Sequence, residues 1–150
     1  MIAHGSIVSR VAVVAGIVLA AVSLNFVGVE SASDVKKFHS YDEYTEAVAD
    51  GSHVYVTAYK ASWCGHCKRL APIWVDLAAK LHDVPNLVIA EVECPNTKQI
   101  CDEVGVKGFP TIKSSFAGEV KETYKGMRDT KSLENFARAQ AILWTSETTQ

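Results

Sequence analysis

Cys64-Gly65-His66-Cys67 sets two thiols at a change of pattern, with an apolar run (Val54 to Ala58) just before and residues at helical spacing just after. A strand ending at Trp63 puts Cys64 in the first turn of the following helix. There the unpaired backbone N–H groups and the positive end of the helix dipole favour a thiolate. That position and the Cys-x-x-Cys context both lower a cysteine below its free value of about 8.5. Cys67, one turn deeper, is shielded and can close onto Cys64 as a disulfide. The pattern points to a redox site. A structural bridge, or half of a zinc site, would use the same two residues. Zinc usually takes a second ligand pair at short spacing, whereas six residues separate the remaining cysteines, Cys94 and Cys101.

The chain has 150 residues and a formal net charge of −2, which suits one ordinary domain and gives no preference for polyanions. It carries no basic patch and no phosphate loop, so nucleic acid is not an expected partner. Residues 1–31 read as a secretory signal peptide. His4 and Arg10 precede the uncharged apolar run Val11 to Leu24, and Val29 and Ser31 offer small-residue positions for cleavage. An uncleaved anchor is the alternative, since the stretch to Val29 approaches the roughly 20 residues that span a bilayer; only in that case is a membrane a partner. Residues 32–144 are long enough for one core, and residues 145–150 form a polar tail.

Within that domain Val35 to Phe38 is a first strand. Ser40 and Glu43 open a helix as a capping box, closed at Gly51. His53 to Lys60, rich in Val and Tyr, reads as a buried central strand. Leu70, Trp74, Leu77 and Leu81 mark one face of a long helix from Cys64 to about His82, with Pro72 inside it. Leu87 to Glu93 is the next strand and Asn96 to Val104 a short helix. Thr111 to Phe116 and Glu119 to Tyr124 form a hairpin about Ala117-Gly118. A last helix, capped by Asp129 or Thr130, presents Leu133, Phe136, Ala137, Ile142 and Leu143 as its apolar face. The order is β-α-β-α-β-α-β-β-α.

Tyr59 through Pro72, centred on Trp63-Cys64-Gly65-His66-Cys67-Lys68, resembles the active site of protein disulfide isomerases. Gly105 to Thr111, with Gly108-Phe109-Pro110-Thr111, resembles the family's loop with a cis proline. Tyr124-Lys125-Gly126-Met127-Arg128, followed by Leu133 and Phe136, resembles its third signature. The three occur in the family's order over about residues 35 to 143. The resemblance implies an α/β thioredoxin fold: a central mixed sheet flanked by helices.

It also implies roles. Cys64 attacks the substrate and Cys67 resolves the mixed disulfide, with Gly65 and His66 between them. A cationic His66 would stabilise the Cys64 thiolate and make the disulfide a stronger oxidant. Pro110 is expected to be cis and to face the thiols, and Trp63 and Phe109 to meet an extended substrate. Arg128 matches an arginine that favours the second thiolate. Cys94 and Cys101 match a structural bridge carried by some isomerase domains. Two positions depart from the family: Ser62 stands where proline is usual, and Ala58 where a buried acid usually accepts the proton of the second cysteine. Glu91, on the neighbouring strand and with no cation beside it, is the expected substitute.

The function these features imply is a thiol–disulfide oxidoreductase or isomerase acting on protein cysteines during oxidative folding, with no metal or cofactor. Its partners would be unfolded or partly folded cysteine-containing proteins, with glutathione or a re-oxidising enzyme. The expected location is the secretory pathway, chiefly the lumen of the endoplasmic reticulum. The C-terminal Ser146 to Gln150 is not a retrieval signal, so secretion is a second outcome. The alternative function is a binding or chaperone module with weak turnover.

Overall fold

A computed structural model describes residues 35–146. The expected signal peptide or anchor over 1–31, and tail residues 147–150, lie outside the described residues. The elements are β1 (Lys36–Phe38), α1 (Tyr41–Ala49), β2 (Val54–Lys60), α2 (Gly65–Leu81), β3 (Leu87–Glu93), α3 (Lys98–Glu103), β4 (Thr111–Phe116), β5 (Glu119–Thr123) and α4 (Thr130–Ser146). None of these helices is long and apolar enough to cross a membrane.

The strands form one five-stranded sheet in the order β1-β3-β2-β4-β5. β1, β3 and β2 run parallel, β4 runs antiparallel to β2, and β5 antiparallel to β4. β2 lies at the centre and is buried on both faces, as its β-branched and aromatic residues require. Alternation along it splits the core in two. Val56 and Ala58 pack with Leu70, Trp74 and Leu77 of α2 and Leu133 and Ala137 of α4. Tyr55 and Tyr59 pack on the other face with Phe38, with Tyr44 and Val48 of α1, and with Ile100 of α3.

α2 positions the two motif cysteines, because its buried stripe holds it fixed against the sheet while its first residue stays just beyond the carboxyl end of the central strand β2. Its residues Leu70, Trp74, Leu77, Ala78 and Leu81 are buried. The Trp74 indole N–H donates to the Ala90 carbonyl at 3.0 Å. Burying each large apolar side chain contributes about 1.5–3 kcal/mol.

Three sequence expectations shift. The third helix starts at Lys98, because Asn96 N and Thr97 N both donate to the Glu93 carbonyl and close a turn there. α4 runs on through Thr145 and Ser146. Ile142 and Leu143 are exposed, since the inward face of α4 is carried by Leu133, Ala137, Gln140 and Ala141. The hairpin turn is as expected, with φ +50° at Ala117 and +80° at Gly118, the left-handed pair that a two-residue turn needs.

Candidate functional site

β2 ends at Lys60 and α2 begins at Gly65, and the chain between them carries Cys64 to the helix N-cap. This is one residue outside the first turn that the spacing predicts, and the consequence is chemical. The Cys64 sulfur itself caps the helix, accepting the Cys67 N–H at 3.4 Å. Its thiol points at the Phe109 carbonyl, 3.6 Å away. Cys64 and Cys67 are both free thiols, 8% and 4% exposed respectively. They pack with Ala61 and against Phe109.

The two thiols are driven apart. Cys64 is held below its ordinary value of 9.0, first by the Cys67 thiol donating to it. The backbone N–H groups of Cys67 and His66 and the charge of Arg69 act the same way. Cys67 is pushed up to about 11, first by burial and then by donating to Cys64; the charges of Cys64 and Glu93 add to the rise. Loss of the proton is therefore favoured at Cys64 and opposed at Cys67.

His66 sits differently from the sequence expectation. Arg69 Nη2 lies 2.7 Å from His66 Nδ1. A guanidinium only donates, so Nδ1 is the acceptor and the imidazole carries its proton on Nε2. Arg69, three residues on, supplies the positive charge that was expected of His66. Sequence reading passed over Arg69, though its position one turn beyond His66 was visible.

The Phe109-Pro110 peptide is cis. Trp63 is 70% exposed and its ring stands edge-on to Phe109, 5.9 Å between centroids. Arg128 Nη2 donates to the Pro110 carbonyl at 3.1 Å. Arg128 thus belongs to the rim of the site, beside a cavity of about 220 Å³ that it shares with His66, Arg69, Leu70 and Ile73. Cys94 and Cys101 form a disulfide, buried in the α1–α3 side of the core.

Glu91 corrects an expectation. It faces Ala58 across the β2–β3 ladder, but it has cations beside it. Lys60 Nζ lies 3.0 Å from its carboxylate and Lys37 Nζ 3.8 Å. Lys37 is its direct partner on β1, and Lys60 comes from β2, two residues beyond Ala58. With its charge matched twice at 17% side-chain exposure, Glu91 is an ion-pair residue rather than a free proton acceptor. The acid whose charge reaches Cys67 is Glu93, on the same face of β3. Glu93 Oε1 accepts the Ser62 N–H at 2.5 Å. The signal for it was in the sequence: proline at position 62 has no N–H to give, and serine does.

Residues 35–139 match the family model described as Thioredoxin. The thioredoxin domain-containing protein 5 homolog of Drosophila melanogaster is 37% identical over 95 residues, 63% of this chain but only 22% of that protein. Protein disulfide isomerase-like 5-1 of Oryza sativa is 30% identical over 100 residues, 67% of this chain and 68% of that protein. Among solved structures, the Malassezia sympodialis thioredoxin Mala s 13 superposes with a TM-score of 0.61 at 28% identity, covering 72% of this chain and 91% of that one. The J-Trx1 fragment of ERdj5 superposes with a TM-score of 0.65 at 24% identity, over 72% of this chain and 52% of that one. This chain thus spans about a fifth of the first relative and two thirds of the second.

Proposed function

From the premise that the chain belongs to the thioredoxin family, we propose that it exchanges disulfides with protein cysteines, by way of Cys64 and Cys67. The observation that carries this is the Cys64 sulfur serving as the helix N-cap, with Cys67 protonated behind it. In the reductive direction the Cys64 thiolate attacks a client disulfide. A Cys64–client S–S bond forms, the client S–S bond breaks, and one client sulfur leaves as a thiolate that takes a proton from solvent. Cys67 then gives its proton to solvent and attacks Cys64; the Cys64–Cys67 bond forms, the Cys64–client bond breaks, and the second client sulfur leaves as a thiolate that is protonated in turn. The oxidative direction runs the same steps backwards, and isomerisation stops at the mixed disulfide and returns through a different client sulfur.

The rate depends on Cys64 being both ionised and a good leaving group. Trp63 and Phe109 form the apolar edge on which a client would lie, and Arg128 braces the loop at Pro110. Relatives named as protein disulfide isomerases support oxidation and isomerisation as the working directions. The same names, with the buried Cys94–Cys101 bridge, support the secretory pathway and the endoplasmic reticulum lumen as the location. Refolding of scrambled ribonuclease tests the activity: native enzyme activity is expected to return, and to fail with Cys64→Ser. Protease protection after fractionation tests the location.

Ala58 favours a second function, a client-binding module with weak turnover, because the residue on β2 facing Glu91 cannot take a proton. Such a module would hold unfolded chains from aggregation and leave scrambled ribonuclease scrambled.

A further inference from the structure

Three arginines lie among the described residues, and they divide by partner. Arg138 is ion-paired with Glu134 at 2.9 Å. Arg69 and Arg128 have no carboxylate partner among the described residues; their contacts are the His66 ring nitrogen and the Pro110 carbonyl. Both line the same cavity of about 220 Å³, with His66 on its wall and Leu70 and Ile73 as apolar surface. Asp129, the acid adjacent to Arg128, is committed elsewhere: its two oxygens accept the Ser132 N–H at 2.9 Å and the Ser132 hydroxyl at 2.7 Å at the start of α4. Each guanidinium has five N–H donors and uses one in the contacts above, so most of this donor set is open.

We propose that this cavity is a carboxylate subsite, holding an acidic group of the thiol or disulfide substrate close to the sulfur that Cys64 attacks. Two guanidinium groups beside aliphatic side chains form the pairing that binds carboxylate best, since planar donors meet planar acceptors and the apolar wall limits screening. His66 on the cavity wall lies in the first turn of α2, which Cys64 caps. Arg128 holds the Pro110 carbonyl, next in the chain to the Phe109 carbonyl 3.6 Å from the Cys64 sulfur, so the subsite and the nucleophile are neighbours. The carboxylate can come from an acidic side chain flanking a client cysteine, or from glutathione. The subsite rests on disulfide exchange for its substrate, though its charge can be read without any exchange.

Alkylation of Cys64 provides that reading. Iodoacetate and iodoacetamide both lose iodide to the same thiolate as a C–S bond forms, and differ by one negative charge. Their rate ratio therefore cancels any change in how far Cys64 is ionised. The ratio is expected to exceed that of free cysteine, to fall roughly two- to fivefold in Arg69→Gln, and to be kept largely in Arg69→Lys, the range that partly exposed ion pairs give. High salt should lower it in the wild type. A parallel measurement compares disulfide peptides with Glu or Lys beside the cysteine, and glutathione disulfide with its glycine-esterified form. Preference for the Glu peptide that collapses in Arg69→Gln identifies a client side chain; preference for unesterified glutathione identifies that source. An alkylation ratio unmoved by Arg69→Gln overturns the subsite. So does a ratio that responds while both substrate pairs are exchanged without preference. Absence of exchange with every substrate removes the proposed function instead, and the alkylation ratio still decides the subsite.

Discussion

Mild alkylation of the native reduced protein should modify Cys64 and spare Cys67, and the margin can be worked from the two environments. At pH 7 a thiol pushed up to about 11 is ionised to about one part in ten thousand. One at 9.0 is ionised to about one part in a hundred, and Cys64 is held below that value. The thiolate populations therefore differ by at least about 100-fold. Nucleophilicity falls as a thiol becomes more acidic, with a Brønsted slope of about 0.4–0.5, which returns about eightfold over two pH units. The net preference is at least about tenfold before access is counted, and the deeper setting of Cys67 adds to it. The assay is timed labelling with iodoacetamide at about pH 7, quenching, and peptide mass analysis. Cys64 should be labelled first, with Cys67 following only after denaturant is added. Equal labelling of the two in the folded protein would refute the claim that the helix N-cap and burial divide their roles.

Glu93→Gln removes a negative charge that opposes the Cys67 thiolate, so the pH at which Cys67 begins to alkylate should move down, while the Ser62 N–H keeps an oxygen acceptor. A rise in that pH would contradict the placement of Glu93. The reduced protein should lose stability as the pH rises from about 9 to about 11. A thiol raised in the folded state contributes stability that is complete below its unfolded value of 9.0 and gone above its folded one; chemical denaturation of the reduced and oxidised forms at about pH 8 and about pH 11 checks the difference. Leu77→Ala empties a fully buried site between α2 and the sheet and should cost about 2–5 kcal/mol in the same assay. Replacing both Cys94 and Cys101 by Ser opens a loop closed over a separation of 7 residues. The chain-entropy model puts that at about 2.5 kcal/mol, with exchange activity at Cys64 persisting.

Features that are local in sequence were legible before the fold was known. Period and turn chemistry are local, so the strand-helix order emerged directly: β2 from its Val and Tyr alternation, α2 from Leu70, Trp74, Leu77 and Leu81, the hairpin from Ala117-Gly118. The Cys-x-x-Cys motif announced its position because strand end, motif and helix start are contiguous. Lys60 and Lys37 come to Glu91 from two different strands, and only cross-strand register puts them there, so the ion pairs were invisible. Glu93 was hidden for the same reason, although the N–H left by Ser62 was a legible gap in need of an acceptor. Ile142 and Leu143 misled because apolar residues near the end of a helix can follow the period without facing the core.

The two outer strands have a consequence for how the molecule lives in company. β1 is three residues long and begins Lys36-Lys37. β5 presents Glu119, Lys121 and Glu122, and its pairing with β4 is broken by a register shift at Ser114/Ser115. Short length, charge and a bulge are the means by which a sheet margin refuses a further strand. Under the proposed exchange with client proteins, an unfolded chain brought to Cys64 would be rich in unpaired backbone, and a long flat margin nearby would template it into a growing ribbon. With both margins blunted, such a chain would be released again instead of being recruited into an aggregate.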